Sequence, residues 1–368
     1  MTFFVRSTPR SLHPIAWWLW ALTLGAAALR TTNPFLLGLL AASAWVVVAA
    51  RRPSAPWARS FGSFVKLGIA VIVVRVALQI LFGVRLPGHE LFALPSVDLP
   101  DWAAGVTLGG PVTTEALVSA FAEGLQLGVL LACVGAANSL ASPYRLLRSM
   151  PAVLYELGVA VTVALSFAPQ ATVSAQRVRE ARRLRGRPSR GLSGLRGMAV
   201  PVLEIALERS LELAASMDSR GYGRRAPIAP ARRRLAQVAT LVGAMAATIG
   251  VYGVLDEAAP GGIGFPLLAL GVVLLIAGFT FAGAQSTRTR YRPDPWRAPE
   301  WIVLVSGVTA LAVLVLASNA GVDGLKPVFN PLTMPAVPLL PALGIVIAAA
   351  PAWLTPALPS IPMSPAAR

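Results

Sequence analysis

Eight apolar stretches of 16 to 25 residues, at 14–29, 34–50, 67–84, 116–140, 235–255, 263–284, 301–317 and 336–353, constrain this chain more than any other feature. About 20 residues of helix cross the hydrocarbon core of a bilayer. Inside that core only helices and closed barrels satisfy their own backbone groups. The expected fold is therefore all-α: a polytopic helical membrane protein with about eight spans. Composition points the same way, with 55% of the 368 residues hydrophobic and 13% charged, about half the charge of an average soluble domain.

A ninth stretch, 152–168, lies between Pro151 and Pro169 and contains Glu156. Arg145 and Arg148 precede it and an arginine-dense segment follows, so a crossing would leave one basic flank outside, against the positive-inside tendency. It is therefore expected to pack on the membrane or partly into it. The remaining charges then sort consistently except for Arg30, which falls outside and can snorkel from its helix end. Arg6, Arg10, Arg51, Arg52 and Arg59 fall inside, with residues 141–234 and Arg288, Arg290, Arg292 and Arg297. The loop 85–114, Asp256, Glu257, Asp323 and Lys326 fall outside. Both termini are expected to be cytoplasmic, in a plasma or inner membrane. Arg6 and Arg10 before an apolar core resemble a signal peptide, but the second stretch follows within five residues, which fits an uncleaved anchor better. The chain divides by sequence into a membrane bundle at 1–140, a cytoplasmic and interfacial region at 141–234, and a further membrane segment at 235–368.

The cytoplasmic region holds most of the charge imbalance. Between 177 and 234 stand fifteen arginines and five acids, a net of +10 out of +16 for the whole chain. Two helices are expected there, at 170–185 and 202–220. Leu203, Leu207, Leu211 and Ala214 form a stripe on the second, beside an acidic stripe of Glu204, Glu208 and Glu212 facing water. Both helices end alike, in Leu184-Arg185-Gly186 and in Ser219-Arg220-Gly221. One such ending is explained by structure alone, because the macrodipole favours a cation at a helix C-terminus and glycine supplies the left-handed cap. Two endings, on consecutive helices of the one large polar insert, have the form of a docking device. Guanidinium groups at two tips match carboxylate-lined grooves bidentately, and two tips imply a partner with two copies of one groove.

The segments Gln176-Arg-Val-Arg-Glu-Ala-Arg-Arg-Leu-Arg-Gly186 and Glu208-Arg-Ser-Leu-Glu-Leu-Ala-Ala-Ser-Met-Asp-Ser-Arg-Gly-Tyr-Gly223 resemble the transmembrane (T) component of energy-coupling factor transporters, the group that includes the cobalt-transport permease subunit. Ser216-Met-Asp-Ser-Arg-Gly-Tyr-Gly223 is the most specific match, with weaker support from Phe167-Ala-Pro169, Pro143 and Asn33-Pro34. The resemblance covers roughly residues 10–255. It implies a scaffold joining a substrate-capturing membrane subunit (the S component) to two ATP-binding-cassette ATPases. By position, Arg185 and Arg220 would dock into the ATPases, and Gly186 and Gly221 would end the helices. The family has alanine where this chain has Leu184 and Ser219, and the chain runs past the family's usual end, adding the last three apolar stretches.

Other chemistry finds little support. No P-loop sequence occurs, and Lys66 and Lys326 are the two lysines, so ATP hydrolysis is expected from partner subunits and not from this chain. No metalloprotease or nucleophile-elbow motif is present. His13, His89 and Cys133 lie too far apart for a zinc site, so neither a catalytic residue, a metal ligand nor a cofactor is expected. An alternative reading, a self-contained secondary transporter, would rest on Arg75 and Glu123 within the third and fourth stretches, with Gln79 and Gln126 about one turn along. The simpler expectation is that Arg75 and Glu123 pair and join two spans. A nucleic-acid partner is not expected, because Tyr222 is the one aromatic residue between 170 and 234 and the acidic stripe repels phosphate. Arginines beside the spans are expected to meet anionic lipid of the bilayer.

Overall fold

A computed structural model describes residues 10–82, 87–98, 107–149, 155–186, 191–221, 230–255, 263–283, 294–330, 332 and 334–356. The helices are α1 (Pro14–Ala28), α2 (Pro34–Arg51), α3 (Ser60–Phe82), α4 (Thr114–Leu140), α5 (Pro143–Arg148) and α6 (Tyr155–Leu184). They continue as α7 (Gly191–Ser219), α8 (Pro230–Leu255), α9 (Gly264–Gly283), α10 (Ala298–Asn319), α11 (Leu339–Ile347) and α12 (Pro351–Leu354). The chain is an all-α, multi-pass membrane protein. Its one sheet among the described residues is an antiparallel ribbon, β1 (Glu90–Asp98) with β2 (Thr107–Thr113), in the loop expected outside.

Among the described residues six helices are long and apolar enough to cross a membrane: Pro34–Arg51, Trp57–Phe82, Thr114–Leu140, Leu157–Leu184, Pro230–Gly253 and Ala298–Asn319. Five of them coincide with stretches expected to span, whereas the sixth, Leu157–Leu184, includes most of the stretch at 152–168 expected to pack on the membrane and not to cross it. Three other expected spans are shorter helices, Pro14–Ala28, Pro266–Phe281 and Leu339–Leu354. The last is interrupted: Ala348, Ala349 and Ala350 donate to carbonyls three residues back, tightening the chain ahead of Pro351, which has no N–H to continue the helix.

The largest departure from the sequence reading is α6. The stretch at 152–168 and the helix at 170–185 are not separate pieces, because one 30-residue helix runs through Pro169. α7 likewise extends back to Gly191 and runs through Pro201. A proline ring tolerates helical φ and removes one intrahelical hydrogen bond, which bends a long helix without ending it.

By contacts the chain forms two compact units, one from the described parts of Met1–Leu146 and Asp294–Arg368, the other from Leu147–Pro293. These cut the chain differently from its linear three-part division. In the first unit α1 packs on α4 and α10, and α2 packs on α4 and α11. Trp20, Leu24, Leu36, Leu37 and Leu40 are fully buried together with Val303, Leu314 and Ile345. The C-terminal helices therefore complete the core of the N-terminal bundle. Polar ties repeat this at both ends. Trp20 Nε1 donates to Ala348 O at 3.1 Å, and Arg51 Nη2 donates to Ala352 O at 2.8 Å. At the opposite end Asn33 Nδ2 donates to Gly324 O at 2.6 Å and Ala336 O at 2.9 Å. Asn33 also caps α2, accepting from Phe35 N at 3.0 Å, with Pro34 at the first helical position.

α3 lies against α4 over a seam of glycines. A Cβ on Gly68 would stand 3.1 Å from Gly128 O, and one on Gly124 would stand 3.1 Å from Ile72 Cα. Small residues four apart let two membrane helices meet backbone to backbone. In the second unit α8 and α9 form a hairpin on the same principle, with glycines seven apart at Gly243 and Gly250 and at Gly264, Gly271 and Gly278.

Candidate functional site

α6 and α7 pack as an antiparallel pair. Near their connection Arg182 Nη1 donates to Gly197 O at 2.5 Å. Further from it, residues from Ala160 to Gln170 on α6 and from Ala206 to Met217 on α7 line one cleft of about 550 Å³. Residue numbers rising on one helix thus meet numbers falling on the other. The C-terminus of α6 consequently lies at one end of the pair and the C-terminus of α7 at the other. At 1.5 Å per residue the two tips are roughly 40 Å apart.

Each tip closes as the sequence requires. Gly186 has φ +68° and Gly221 has φ +73°, left-handed values that glycine adopts at no steric cost. Gly186 N donates to Arg183 O at 3.1 Å and Gly221 N to Asp218 O at 2.8 Å, satisfying carbonyls of the last turn. Arg185 and Arg220 are exposed and enter none of the ion pairs among the described residues. Leu184 is 89% exposed, an apolar side chain at the extreme end of a helix. Arg182, one turn earlier, is tied to the α7 backbone and so fixes the direction in which the first tip points.

The α7 face turned to α6 carries Ala206, Ser210, Leu213, Ala214 and Met217. Leu203, Leu207 and Leu211 are exposed, while Ala214 lines the cleft, so the four do not share one environment. Glu204, Glu208 and Glu212 are exposed to solvent. Tyr222, Arg224, Arg225 and Arg190 lie outside the described residues, and nothing is described of the side chains of Arg196, Arg233 and Glu156.

The intramembrane residues singled out by sequence do meet. Arg75 Nη2 donates to Glu123 Oε2 at 2.5 Å, joining α3 to α4. Gln79 accepts from Arg75 at 3.4 Å, and Ser119 donates to Glu123 Oε1 at 3.5 Å. Gln126 turns elsewhere, donating to Ala28 O at 3.0 Å and Thr31 O at 3.2 Å at the end of α1.

A cluster the sequence did not reveal lies where α1 and α10 begin. The fully buried Glu300 carboxylate accepts from Arg10, from His13 N at 3.2 Å and from Arg297 N at 3.0 Å. Arg145 donates to Asp294 Oδ2 from Nη2 at 2.7 Å and to Leu12 O at 3.1 Å. Basic residues flanking apolar stretches are the signal that could have found it, but their partners are far away in sequence. Among the described residues no group of three His, Cys, Asp or Glu side chains could hold a metal ion.

Compared with known proteins, the chain matches no protein-family model, and no curated protein matches it.

Proposed function

We propose that this protein is the transmembrane scaffold of an energy-coupling factor type importer. It would couple ATP hydrolysis by two partner ABC ATPases to uptake of a vitamin or transition-metal cation, through a separate substrate-binding membrane subunit. The observation that carries the reading is the pair of tips: two exposed arginines, each next to a left-handed glycine, at opposite ends of an antiparallel helix pair. Two identical grooves on an ATPase dimer stand far apart and are related by a twofold axis. A helix pair with one tip at each end can reach both. Approach of the two ATPases on binding ATP would drive the tips relative to one another, and Pro169 and Pro201 supply the places where the helices bend.

The same reading orients the protein. Arg10, Arg51, Arg145 and Arg297 gather at one end of the first unit, which the positive-inside tendency assigns to the cytoplasm of a plasma or inner membrane. The exposed leucines of α7 offer an apolar surface to the membrane subunit or the bilayer.

The test is co-purification of the tagged chain from its native membranes, with Arg185→Glu and Arg220→Glu introduced together. The expected result is loss of the ATPases from a chain that still purifies as a folded membrane protein. If the double variant kept both the ATPases and ATP-dependent uptake, the reading would fail.

A further inference from the structure

Arg75 and Glu123 are placed where an ion pair should not be left open. Arg75 stands seven residues before the end of α3 and Glu123 nine residues after the start of α4, both in helices long and apolar enough to cross the membrane. At 1.5 Å per residue that is roughly 10 to 14 Å in from the helix ends. Yet the side chains are 34% and 45% exposed. Arg75 does not run out to the interface as a snorkelling arginine does: its Nη1 reaches along α3 only as far as Gln79, and its Nη2 crosses to α4. Two of its five N–H donors are engaged, and Glu123 Oε1 has one long contact, from Ser119. Hydrocarbon tails offer nothing to the remaining donors and lone pairs.

The surroundings supply the rest of a surface. Of the 23 residues of α3 only Phe61 and Gly68 are buried, and its extensive packing is on α4. Leu78, one turn beyond Arg75, and Leu127, one turn beyond Glu123, are each 46% exposed. On helical wheels of two antiparallel helices facing through Gly68 and Gly128, these four side chains fall on the same flank of the seam.

We infer that this flank is the docking surface for a transmembrane helix of the partner membrane subunit, one that places an uncharged hydrogen-bonding side chain, a carboxamide or hydroxyl, against the Arg75–Glu123 pair. The pair is net neutral, so it attracts no further charge, and a third charge would bring its own desolvation penalty. A carboxamide both accepts from the guanidinium and donates to the carboxylate. This rests on the proposed scaffold role, which supplies the separate membrane subunit.

The experiment places a photo-crosslinking amino acid at Leu78 or Leu127 in the full chain, with Val273 on the exposed face of α9 as control. After irradiation of native membranes, adducts are mapped and co-purifying ATPases are scored in the same samples. The expected adduct joins Leu78 and Leu127, but not Val273, to a transmembrane helix of a second membrane protein carrying Asn, Gln, Ser or Thr within one turn of the attachment point. Its yield should fall about tenfold in Arg75→Leu with Glu123→Leu. Arg75→Gln with Glu123→Gln, which keeps hydrogen bonding without charge, should retain it and controls for folding. Adducts to lipid alone, to this chain or to a second copy of it, or yields equal in all variants, would overturn the inference. If the ATPases are still present in those samples, the scaffold reading stands while the docking surface falls. Loss of both would remove the scaffold reading as well.

Discussion

Arg182 on α6 donates to Gly197 O on α7, and a Cβ added at Gly197 would land on that same guanidinium. Two helices otherwise separated by a cleft are thus pinned one turn from the first exposed tip. Gly197→Val should displace the Arg182 side chain and free this end of the pair. The effect on stability should be small, about 1 kcal/mol for one partly solvated hydrogen bond, because the displaced atoms end a flexible side chain. Spin labels at Leu184 and Val200 should report a broader distance distribution in the variant. An unchanged distribution would show that other contacts hold the helices there.

Gly186 and Gly221 should resist substitution for a reason independent of any partner. At φ +68° and +73°, an alanine must either adopt a left-handed conformation, costing about 1 kcal/mol, or unwind the last turn. Either outcome moves the neighbouring arginine. Gly186→Ala and Gly221→Ala should leave the helical content of the purified protein unchanged within error while weakening ATPase capture, and the double variant should lose more than either single one. Equal capture by all three would mean that tip geometry has no role in docking.

The α3–α4 seam should fail differently. With a Cβ on Gly68 already 3.1 Å from the α4 backbone, Gly68→Leu forces the helices apart along their length. Overpacking of this kind costs about 1–3 kcal/mol, and it also stretches the Arg75–Glu123 pair. Thermal unfolding in detergent should show a lower midpoint for Gly68→Leu and almost no change for Gly38→Leu, because a Cβ at Gly38 meets nothing within 4 Å.

Local chemistry in this chain was legible and long-range burial was not. The two Arg-Gly endings could be read because a cap is settled within one turn, by a glycine and the carbonyls just before it. The pairing of Arg75 with Glu123 could be read because charges in adjacent spans have few other partners. The continuity of α6 could not, because Pro169 gives the same local signal whether it ends a helix or bends one. Nor could the place of α10 and α11. Both are apolar all round, so no polar face records which side turns to protein and which to lipid. The bond from Trp20 to Ala348 joins residues 328 positions apart, a separation at which a single sequence carries no signal.

That placement makes a prediction of its own. A C-terminal appendage could be removed without harm, whereas helices that fill the core of the first unit cannot. Truncation before α10 would uncover Trp20, Leu36, Leu37 and Leu40 and leave the ties at Asn33 and Arg51 without acceptors. The truncated chain should fail to accumulate as a monodisperse protein in detergent. Asn33→Ala, which deletes two of the acceptor contacts and the α2 cap, should lower the unfolding midpoint by an amount corresponding to about 1–3 kcal/mol. Normal accumulation of the truncated chain would show that the N-terminal helices form a core by themselves.

His13 adds a pH dependence whose sign follows from its contacts. Its Nδ1 accepts from Ile15 N at 3.3 Å and so caps α1, which requires that nitrogen to be unprotonated. Burial lowers its pKa below the ordinary 6.5; Asp294 and Glu300 nearby pull upward, while Arg145 and Arg10 push downward with burial. The folded state therefore binds the proton less readily than the unfolded chain. Its contribution to stability is complete above pH 6.5 and is lost as the pH falls through the lowered folded value. Thermal unfolding in detergent between pH 7.5 and pH 5 should show the midpoint falling with acidification, with ordinary carboxylate titration setting in at lower pH. His13→Asn keeps a capping acceptor that does not titrate, so the decline over that range should flatten. If the variant and the parent protein lose stability in parallel, His13 is not the group that responds.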